Sequence, residues 1–449
     1  MGTWLNRWGR YLSAPVDAAS LAVVRIVLGV MIAWDAVRYY AYGVIAEYYI
    51  LPKWHFTYLY FGWVRPWPGN GMYVHFAAIF VLATLVALGL CYRFAIVGLF
   101  LAYTYVFLLE EAAYMNHHYL IALLCFLMIW MQPQRAFALD RRRHPDLPAT
   151  VPRWNVLLLR FQLSVVYIYG AVAKLNADWL AGEPMYSEIV RRSNDVPGLA
   201  AHLPPALLAY AIAYGGLLLD VAIPAALLAR RTRRLGFALA VVFHLLNDVV
   251  LHIGVFSYLM IGAITIFFDP QWPRELWRRQ RPAVVAQSPP RSGGPVRVRW
   301  LGLALLHVYV LAQLLIPLRH WLYPGRVGWT DEGYRFSWHM MLRRKRATIA
   351  ITATDPATGR RWPIDPAADL RDKQLEKLRE SPDMMVQYAR YKRDELRAIG
   401  IRDPIITVDW QCSLNGAPPR PVVDPTFNLA EAENSIWPAD WILPEQPRR

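Results

Sequence analysis

A lysine closes an apolar stretch of the sequence that is long enough to cross a membrane. Between residues 154 and 179, the side chains of Arg160, Ser164, Tyr167, Ala171 and Lys174 recur at steps of three or four, so they share one helical face. Lys174 lies about 30 Å along the helix axis from the start of the stretch, which is the thickness of the hydrocarbon core. We therefore expect Lys174 near one membrane surface, where it either snorkels to the headgroups or lines a cavity.

Other titratable or polar side chains could do chemistry together with such a lysine. They lie at the ends of neighbouring apolar runs and comprise Asn116, His117, His118, His244, Asn247, Asp248 and His252. A lysine amine in a poorly hydrated pocket becomes a usable base, and a histidine beside it can exchange a proton with an intermediate near neutral pH. One histidine could instead ligate a haem, with His244 or His252 as its partner. We find no Ser-His-Asp signature and no phosphate-binding glycine loop, and no site for a metal ion is predicted.

The composition indicates a membrane protein. Of the 449 residues, 56% are hydrophobic and 14% aromatic, and the mean hydropathy is +0.23, which is too apolar for an ordinary soluble protein. The net charge of +15 comes from short basic clusters between apolar runs, as in an oriented membrane protein, so the lipid bilayer is the expected partner and not nucleic acid. Cys91, Cys125 and Cys412 are widely spaced without a CxxC motif, so neither a disulfide framework nor a dithiol redox centre is predicted.

The apolar runs predict about nine membrane-spanning helices. They cover residues 21–40, 72–90, 94–109, 116–131, 154–174, 205–228, 236–251, 254–268 and 300–317. The seventh and eighth runs are short and could instead form a re-entrant pair. Basic clusters precede the first run and follow the fourth, sixth and eighth, so they share one side if every run crosses, and that side is the cytoplasm. The N-terminus is therefore predicted to be cytoplasmic.

The remaining sequence predicts a second domain outside the cytoplasm. A helical membrane domain over residues 1–318, with a flexible cytoplasmic linker at about 280–298, is expected to precede an extracytoplasmic α+β, β-rich domain over 319–449. In that domain, 346–364 alternates like a strand and turns at DPATG, 370–399 has helical periodicity, and 406–414 alternates again. This topology brings Lys174, His117 and His244 into the same outer leaflet, which favours a functional role for Lys174.

Several short runs of the sequence share their order and spacing with a known family. They are GLCYRFAIVGLFLAYTYVFLLE, NHHYLIALL, RRRHPDLPATVPRWNVLLLR, GAVAKLNADWLAGEPM, GGLLLD, FHLLN, IGVFSYLM, RFSWHMM and QYA. From about residue 18 to 441 the chain resembles the vitamin K-dependent γ-glutamyl carboxylases, including their bacterial members. The resemblance implies a membrane enzyme that converts peptidyl glutamate to γ-carboxyglutamate. It would use vitamin K hydroquinone or a menaquinol-like naphthoquinol, with O2 and CO2 as co-substrates, and release the quinol as its epoxide.

The same resemblance implies roles for individual residues. Lys174 would deprotonate the hydroquinone, and His117 would assist at the glutamyl carbanion. The expected cofactor contacts are Asn116, His244, Phe256, Ser257, Met340 and Met341. The expected contacts with the glutamate-containing peptide or protein substrate are Tyr334, Trp338 and Arg343.

The chain departs from the vertebrate members of this family in three places. Ala173 and Lys174 stand where those members carry two lysines, so only Lys174 is available as the base. Arg343 replaces a histidine and could pair with a substrate carboxylate, and Tyr391 replaces one cysteine of an inter-domain disulfide. Three other functions stay open: a quinol-epoxidising enzyme without carboxylation, a membrane haem quinol oxidase, and a non-catalytic membrane scaffold.

Overall fold

The computed structural model describes residues 2–191, 202–251, 254–278 and 300–445. The expected linker at 280–298 and His252 lie outside these residues. The helices up to residue 315 are α1 (Gly2–Ser13), α2 (Ala19–Ala41), α3 (Gly71–Leu88), α4 (Tyr92–Leu109), α5 (Asn116–Trp130), α6 (Leu139–Arg143), α7 (Arg153–Lys174), α8 (Ala177–Leu180), α9 (Met185–Arg191), α10 (Pro205–Leu228), α11 (Arg233–Leu251), α12 (Val255–Ala263), α13 (Trp272–Arg278) and α14 (Trp300–Leu315). A short antiparallel ladder pairs β1 (Pro15–Asp17) with β2 (Thr150–Pro152).

Six helices among the described residues are long and apolar enough to cross a membrane. They are α2, α3, α4, α7, α10 and α14 together with the turns that continue it to Leu322. α5 and the run Val255–Phe267 are apolar but have fewer than 18 residues, so neither reaches across a hydrocarbon core of ~30 Å as a straight helix. The protein is a multi-pass helical membrane protein, whereas the expected nine crossings are not confirmed.

α2 and α3 pack closely because a glycine lies between them. A Cβ on Gly29 would stand 2.6 Å from the Ala83 carbonyl oxygen, so only glycine permits this approach. Arg25, one turn earlier in α2, is buried and donates to the Phe137 carbonyl at 2.5 Å and the Ala87 carbonyl at 3.3 Å. The arginine thereby ties α2 to α3 and to the loop that follows α5.

α7 is enclosed by protein along most of its length, as its polar stripe predicts. Arg160 donates through Nε to the Ile266 carbonyl at 2.9 Å and through Nη2 to the Phe268 carbonyl at 2.8 Å. Tyr169 donates to the Leu314 carbonyl at 2.5 Å. α7 ends at Lys174, and the Asn176 side chain caps the first turn of α8 by accepting from the Trp179 N–H at 3.0 Å.

The C-terminal part contains a four-stranded antiparallel sheet covered by two helices. The strands β3 (Lys345–Thr354), β4 (Arg361–Ile364), β5 (Ile405–Leu414) and β6 (Arg420–Pro421) have the spatial order β4-β3-β5-β6. The helices are α15 (Val327–Thr330), α16 (Asp372–Glu380) and α17 (Pro382–Ala398), and α16 and α17 contribute to the core beside the sheet. The DPATG turn forms as expected, because Asp355 accepts from the Ala357 N–H at 3.0 Å and Gly359 adopts φ +67°. The expected division at residue 318 stays a prediction.

Buried polar contacts attach this sheet region to the loops of the membrane region. Glu110 follows α4 and accepts from His55 at 3.0 Å and from Gln374 of α16 at 2.7 Å. Burial raises the pKa of Glu110. The adjacent Glu111 accepts from Gln387 of α17 at 3.0 Å. Hydrogen bonds between named side chains therefore fix the sheet region to the membrane region. This arrangement places the segment between α14 and β3 over the ends of α5 and α7.

Candidate active site

Lys174 forms a buried ion pair with Asp220 of α10. Its Nζ donates to Asp220 Oδ2, and it lies 5.3 Å from the centre of the Trp179 ring. Both partners are more than nine-tenths buried. Among the described residues, Asp220 is the one hydrogen-bond acceptor of the Lys174 ammonium. The remaining N–H groups of Lys174 donate to no protein atom there. The lysine does not snorkel: it faces protein at the end of α7.

The rings of His244 and His117 both pack against the ring of Phe256. His244 Nε2 is 2.6 Å from the hydroxyl of Tyr167, which lies two turns before Lys174 on α7. The His244 and His117 rings are each 6.0 Å from the Phe256 ring. His117 also packs on the His118 ring at 4.4 Å, and within the described residues its ring nitrogens make no hydrogen bond. Side chains from α5, α7, α11 and α12 therefore meet around Phe256. The sequence predicts titratable groups from four helices here, and His252, the one predicted from the last of them, lies outside the described residues.

The segment between residues 331 and 344 covers this cluster. The Asn116 side chain donates to the His339 carbonyl at 2.9 Å, and Tyr334 donates to the same oxygen at 3.2 Å. Trp338 is fully buried against Tyr119 of α5 at 5.1 Å between ring centres. Phe336 and Trp338 have φ of 62° and 58°, and a bulky residue in this region costs on the order of 1 kcal/mol or more. The surrounding contacts must therefore hold this cover in a strained conformation.

Met340 connects the cover to the Lys174 pair, whereas Met341 points elsewhere. A Cβ on Gly170 would lie 3.3 Å from Met340 Cε and 3.2 Å from Asp220 Oδ2, so the methionine and the carboxylate meet at the same point of α7. Met341 is 43% exposed. The structure thus brings Met340, but not Met341, to the Lys174–Asp220 pair.

Arg343 lies, largely buried, between an aspartate and a tyrosine ring. It pairs with Asp331, and its guanidinium lies 3.8 Å from the Tyr334 ring centre. Burial lowers the pKa of Arg343 to about 10. Arg343 shares the Asp331 carboxylate with Lys345, so one carboxylate faces two cations here, and the expected contact of Arg343 with the substrate stays a prediction.

Asp220 escaped prediction from the sequence, although one signal pointed to it. It is the only charged side chain in the 24 residues of α10, and an isolated charge in an apolar helix indicates a site. Counting from Pro205 places it about 22 Å from the helix start, far from Lys174 in depth. However, the first turns of α10 pack beside α8, where Trp179 donates to the Ala213 carbonyl at 2.8 Å and Tyr214 to the Leu180 carbonyl at 3.0 Å. This offset brings Asp220 level with the end of α7.

Comparison with known families assigns both parts of the chain. Residues 13–272 match the HTTM domain, and residues 299–448 match the lumenal domain of the vitamin K-dependent gamma-carboxylase. The chain belongs to the vitamin K-dependent gamma-carboxylase family. No solved structure matches it. The lumenal-domain match indicates an extracytoplasmic C-terminal region, and the family implies dependence on vitamin K.

The residues around Phe256 fit the naphthoquinol that this family implies. His244, which packs on Phe256, and Ser257, the next residue in the chain after Phe256, each have a buried polar atom (Nδ1 and Oγ) without a hydrogen-bond partner among the described residues. Ser164 Oγ, one turn before Tyr167 on α7, is also without a partner there. A buried donor or acceptor without a partner is costly, so such atoms indicate a site for a polar ligand. A quinol presents two oxygens on a flat apolar ring, which matches these orphaned atoms and the aromatic surface of Phe256.

Proposed function

We propose that this protein is a vitamin K-dependent γ-carboxylase that acts on glutamate in a peptide or protein. The observation that carries the proposal is the buried Lys174–Asp220 pair, whose carboxylate meets Met340 of the strained cover at Gly170. We further propose that the N-terminus is cytoplasmic and that the site opens to the opposite side of the membrane. The 1–318 and 319–449 division belongs to the same proposal.

Lys174 is the proposed base, and Asp220 makes that role possible. An ion pair and its neutral form are close in energy in a poorly hydrated pocket, because the neutral form avoids the desolvation of two charges. Lys174 can therefore pass its proton to Asp220 and accept one from a bound hydroxyl. The pair then carries one net positive charge beside the anion that it has created, which stabilises that anion.

His244, Ser257 and Asn116 hold and orient the cofactor in this proposal, with Phe256 and Met340 as its apolar contacts. When bound, a reduced naphthoquinone supplies, together with O2, the strong base that a glutamyl γ-carbon requires. If Tyr167 donates to His244 Nε2, the neutral imidazole carries its proton on Nδ1, where it can donate to a ligand oxygen. His117 has ring nitrogens free to exchange a proton at the glutamyl carbon.

The cover excludes water from these steps. Trp338 and Tyr334 close the outer side of the site, and Asn116 fixes the cover to the start of α5 through the His339 carbonyl. Exclusion of water protects a reactive base from being quenched and strengthens every charge interaction inside the site. Trp338, Tyr334 and Arg343 are proposed to shape the substrate side, with Arg343 acting through its pair with Asp331.

The decisive test combines two products. The purified protein is incubated with vitamin K hydroquinone, bicarbonate, O2 and a short glutamate peptide, and mass spectrometry measures both carboxylated peptide and quinone epoxide. We expect both. Epoxide without carboxylated peptide would refute carboxylation and favour an epoxidising enzyme. Neither product, with a Soret band in the absorption spectrum, would favour a haem quinol oxidase, and neither product without such a band would favour a scaffold.

A further inference from the structure

The first helix of the chain, α1, has an aromatic face and a basic face. Trp4, Trp8 and Tyr11 follow at steps of four and three, so their rings share one side of the helix, and they stack at 6.3 Å and 5.6 Å between ring centres. Arg7 and Arg10 lie on the neighbouring side. Trp4 and Tyr11 are 66% and 46% exposed. This pattern is typical of a helix that lies flat in the headgroup region of a bilayer.

α1 is fixed beside the starts of two membrane-spanning helices. The backbone N–H of Arg153, the first residue of α7, donates to the Ala14 carbonyl at 2.9 Å, next to the β1–β2 ladder. The Trp8 indole donates to Nε2 of His307 on α14 at 3.3 Å. Nδ1 of that histidine lies 2.6 Å from a carbonyl of its own helix, so Nδ1 carries the ring proton and Nε2 is the acceptor. α1 therefore lies at the end of α7 that is opposite to Lys174.

Three arginines lie next to Tyr11 at this end. Arg7 and Arg10 precede it by four residues and by one, and the Arg153 guanidinium lies 4.4 Å from its ring centre. Among the described residues none of the three has a carboxylate within ion-pair distance, and Asp17, the first acidic residue of the chain, already pairs with an arginine of α13 at 2.8 Å. The positive charge beside the aromatic face is therefore uncompensated by protein in this part of the structure.

We propose that α1 and the first turn of α7 bind an anionic phospholipid, with its phosphate on the three arginines and its acyl chains beside the aromatic face. A guanidinium binds phosphate oxygens through parallel hydrogen bonds, and tryptophan and tyrosine favour the boundary between headgroups and acyl chains. A headgroup with a net negative charge matches these arginines, whereas a zwitterionic headgroup brings a cation of its own. The inference goes beyond the proposed function, because this surface lies at the other end of α7 from Lys174.

The test measures the affinity of the protein for single lipid molecules. Delipidated full-length protein in detergent is titrated with phosphatidylglycerol or with phosphatidylcholine, and native mass spectrometry measures the fraction that carries the first bound lipid. One arginine at an anionic membrane surface strengthens binding about fivefold. We therefore expect the wild type to bind phosphatidylglycerol at least about twentyfold more tightly than phosphatidylcholine. Equal affinities of the wild type for the two lipids would overturn the proposal.

Arg7→Gln/Arg10→Gln should remove most of this preference and leave the affinity for phosphatidylcholine unchanged. The matched control is Arg142→Gln/Arg143→Gln, which removes two exposed arginines from α6, on the side of the membrane that the sequence also predicts for α1. α6 has no aromatic face, so this variant should keep the preference. A preference that survives in Arg7→Gln/Arg10→Gln would overturn the proposal. Equal loss in both double variants would also overturn it, because net charge and not a site at α1 would then attract the lipid.

Two variants at Trp4 keep the test valid if the double variant at α1 does not fold. The side chain is 66% exposed, so a charged residue is tolerated there. Trp4→Glu places a carboxylate one turn before Arg7 and should abolish the preference for phosphatidylglycerol, whereas Trp4→Lys should keep it. Both variants lose the same indole, so only the sign of the added charge differs between them. An equal preference in these two variants would refute recognition of the phosphate at α1.

Discussion

Within the part of the chain that the structure describes, two lysines are buried against aspartates, Lys174 and Lys345, and they differ in how their N–H donors are used. Lys345 of β3 donates to Asp331 at 2.9 Å and to the carbonyls of Trp329 and Glu380 at 2.7 Å each. Lys174 donates to Asp220 alone among the described residues. Protein atoms thus accept hydrogen bonds from all three N–H groups of Lys345, whereas Lys174 has N–H groups without an acceptor among the described residues.

This difference separates a structural ion pair from a reactive one. A buried charge is retained at low cost only if hydrogen bonds satisfy all of its protons. Lys345 meets this condition through three acceptors. Burial and the nearby Arg343 nevertheless lower its pKa well below the usual range, so its charge is less favourable than that of an exposed lysine. Lys174 lies on the same helix face as Tyr167, which hydrogen-bonds to His244, and His244 Nδ1 has no partner among the described residues. Protein atoms in the described part of the chain thus leave donors unused at Lys174 and a ring nitrogen unused at His244.

The largest expected effect concerns the Lys174–Asp220 pair, in which the lysine has N–H groups without a protein acceptor among the described residues. Lys174→Ala should lower carboxylation by about a thousandfold or more, because general-base catalysis of this kind contributes about 10²–10⁴. The variant leaves Asp220 buried without its cation, but this carboxylate can take up a proton and become neutral, so the thermal unfolding midpoint of the purified protein should fall by only a few degrees. Carboxylation is measured by mass spectrometry and unfolding by circular dichroism. A Lys174→Ala variant that retains full activity would show that the base is elsewhere.

Lys345→Met should show the opposite behaviour. Removal of the ammonium leaves the carbonyls of Trp329 and Glu380 without this donor and the Asp331 carboxylate less well compensated. We expect the free energy of unfolding to fall by about 3 kcal/mol. The unfolding midpoint should fall by several degrees, and activity should be lost only in proportion to the unfolded fraction. Lys373→Met on the surface of α16 is the control and should leave the midpoint unchanged. If Lys345→Met were as stable as the wild type, saturation by protein acceptors would not distinguish the two lysines.

The position of Lys174 at the end of a protein-facing helix stripe was predictable from the sequence, but its pairing with Asp220 was not. Steps of three and four along α7 place Lys174 at the end of a protein-facing stripe, and that pattern lies within one helix. The pairing with Asp220 depends on how helices distant in the chain are offset against each other, which no local pattern encodes. The positive φ of Trp338 could not be expected either, because a tryptophan disfavours that region unless its contacts impose it.

The role of Asp220 as proton acceptor predicts a graded series. Asp220→Asn keeps the shape of the side chain but cannot take a proton, so kcat should fall about a hundredfold while the fold is retained. Asp220→Glu restores the carboxylate and should recover part of this loss. The KM for the peptide should be unchanged in both variants, because Asp220 does not contact the peptide in this proposal. A loss confined to KM, or equal activity of both variants, would contradict proton transfer to Asp220.

The smallest expected effect concerns the cover, the segment between residues 331 and 344 that lies over the Lys174 site. Burial, aided by His320 and Arg319, lowers the pKa of His339 to about 3, whereas an unfolded histidine titrates near 6.5. The folded protein therefore binds fewer protons than the unfolded chain below pH 6.5, so the stabilisation contributed by neutral His339 is present above pH 6.5 and is lost as the pH falls towards 3.

Between pH 7 and pH 5 this loss amounts to about 2 kcal/mol. His339→Gln removes the titration, so the difference between its unfolding midpoints at the two pH values should be smaller than that of the wild type. His144→Gln, at an exposed histidine after α6, should behave as the wild type does. An unchanged acid sensitivity of His339→Gln would contradict a lowered pKa of His339 in the folded protein, and with it the burial of this imidazole beneath the cover.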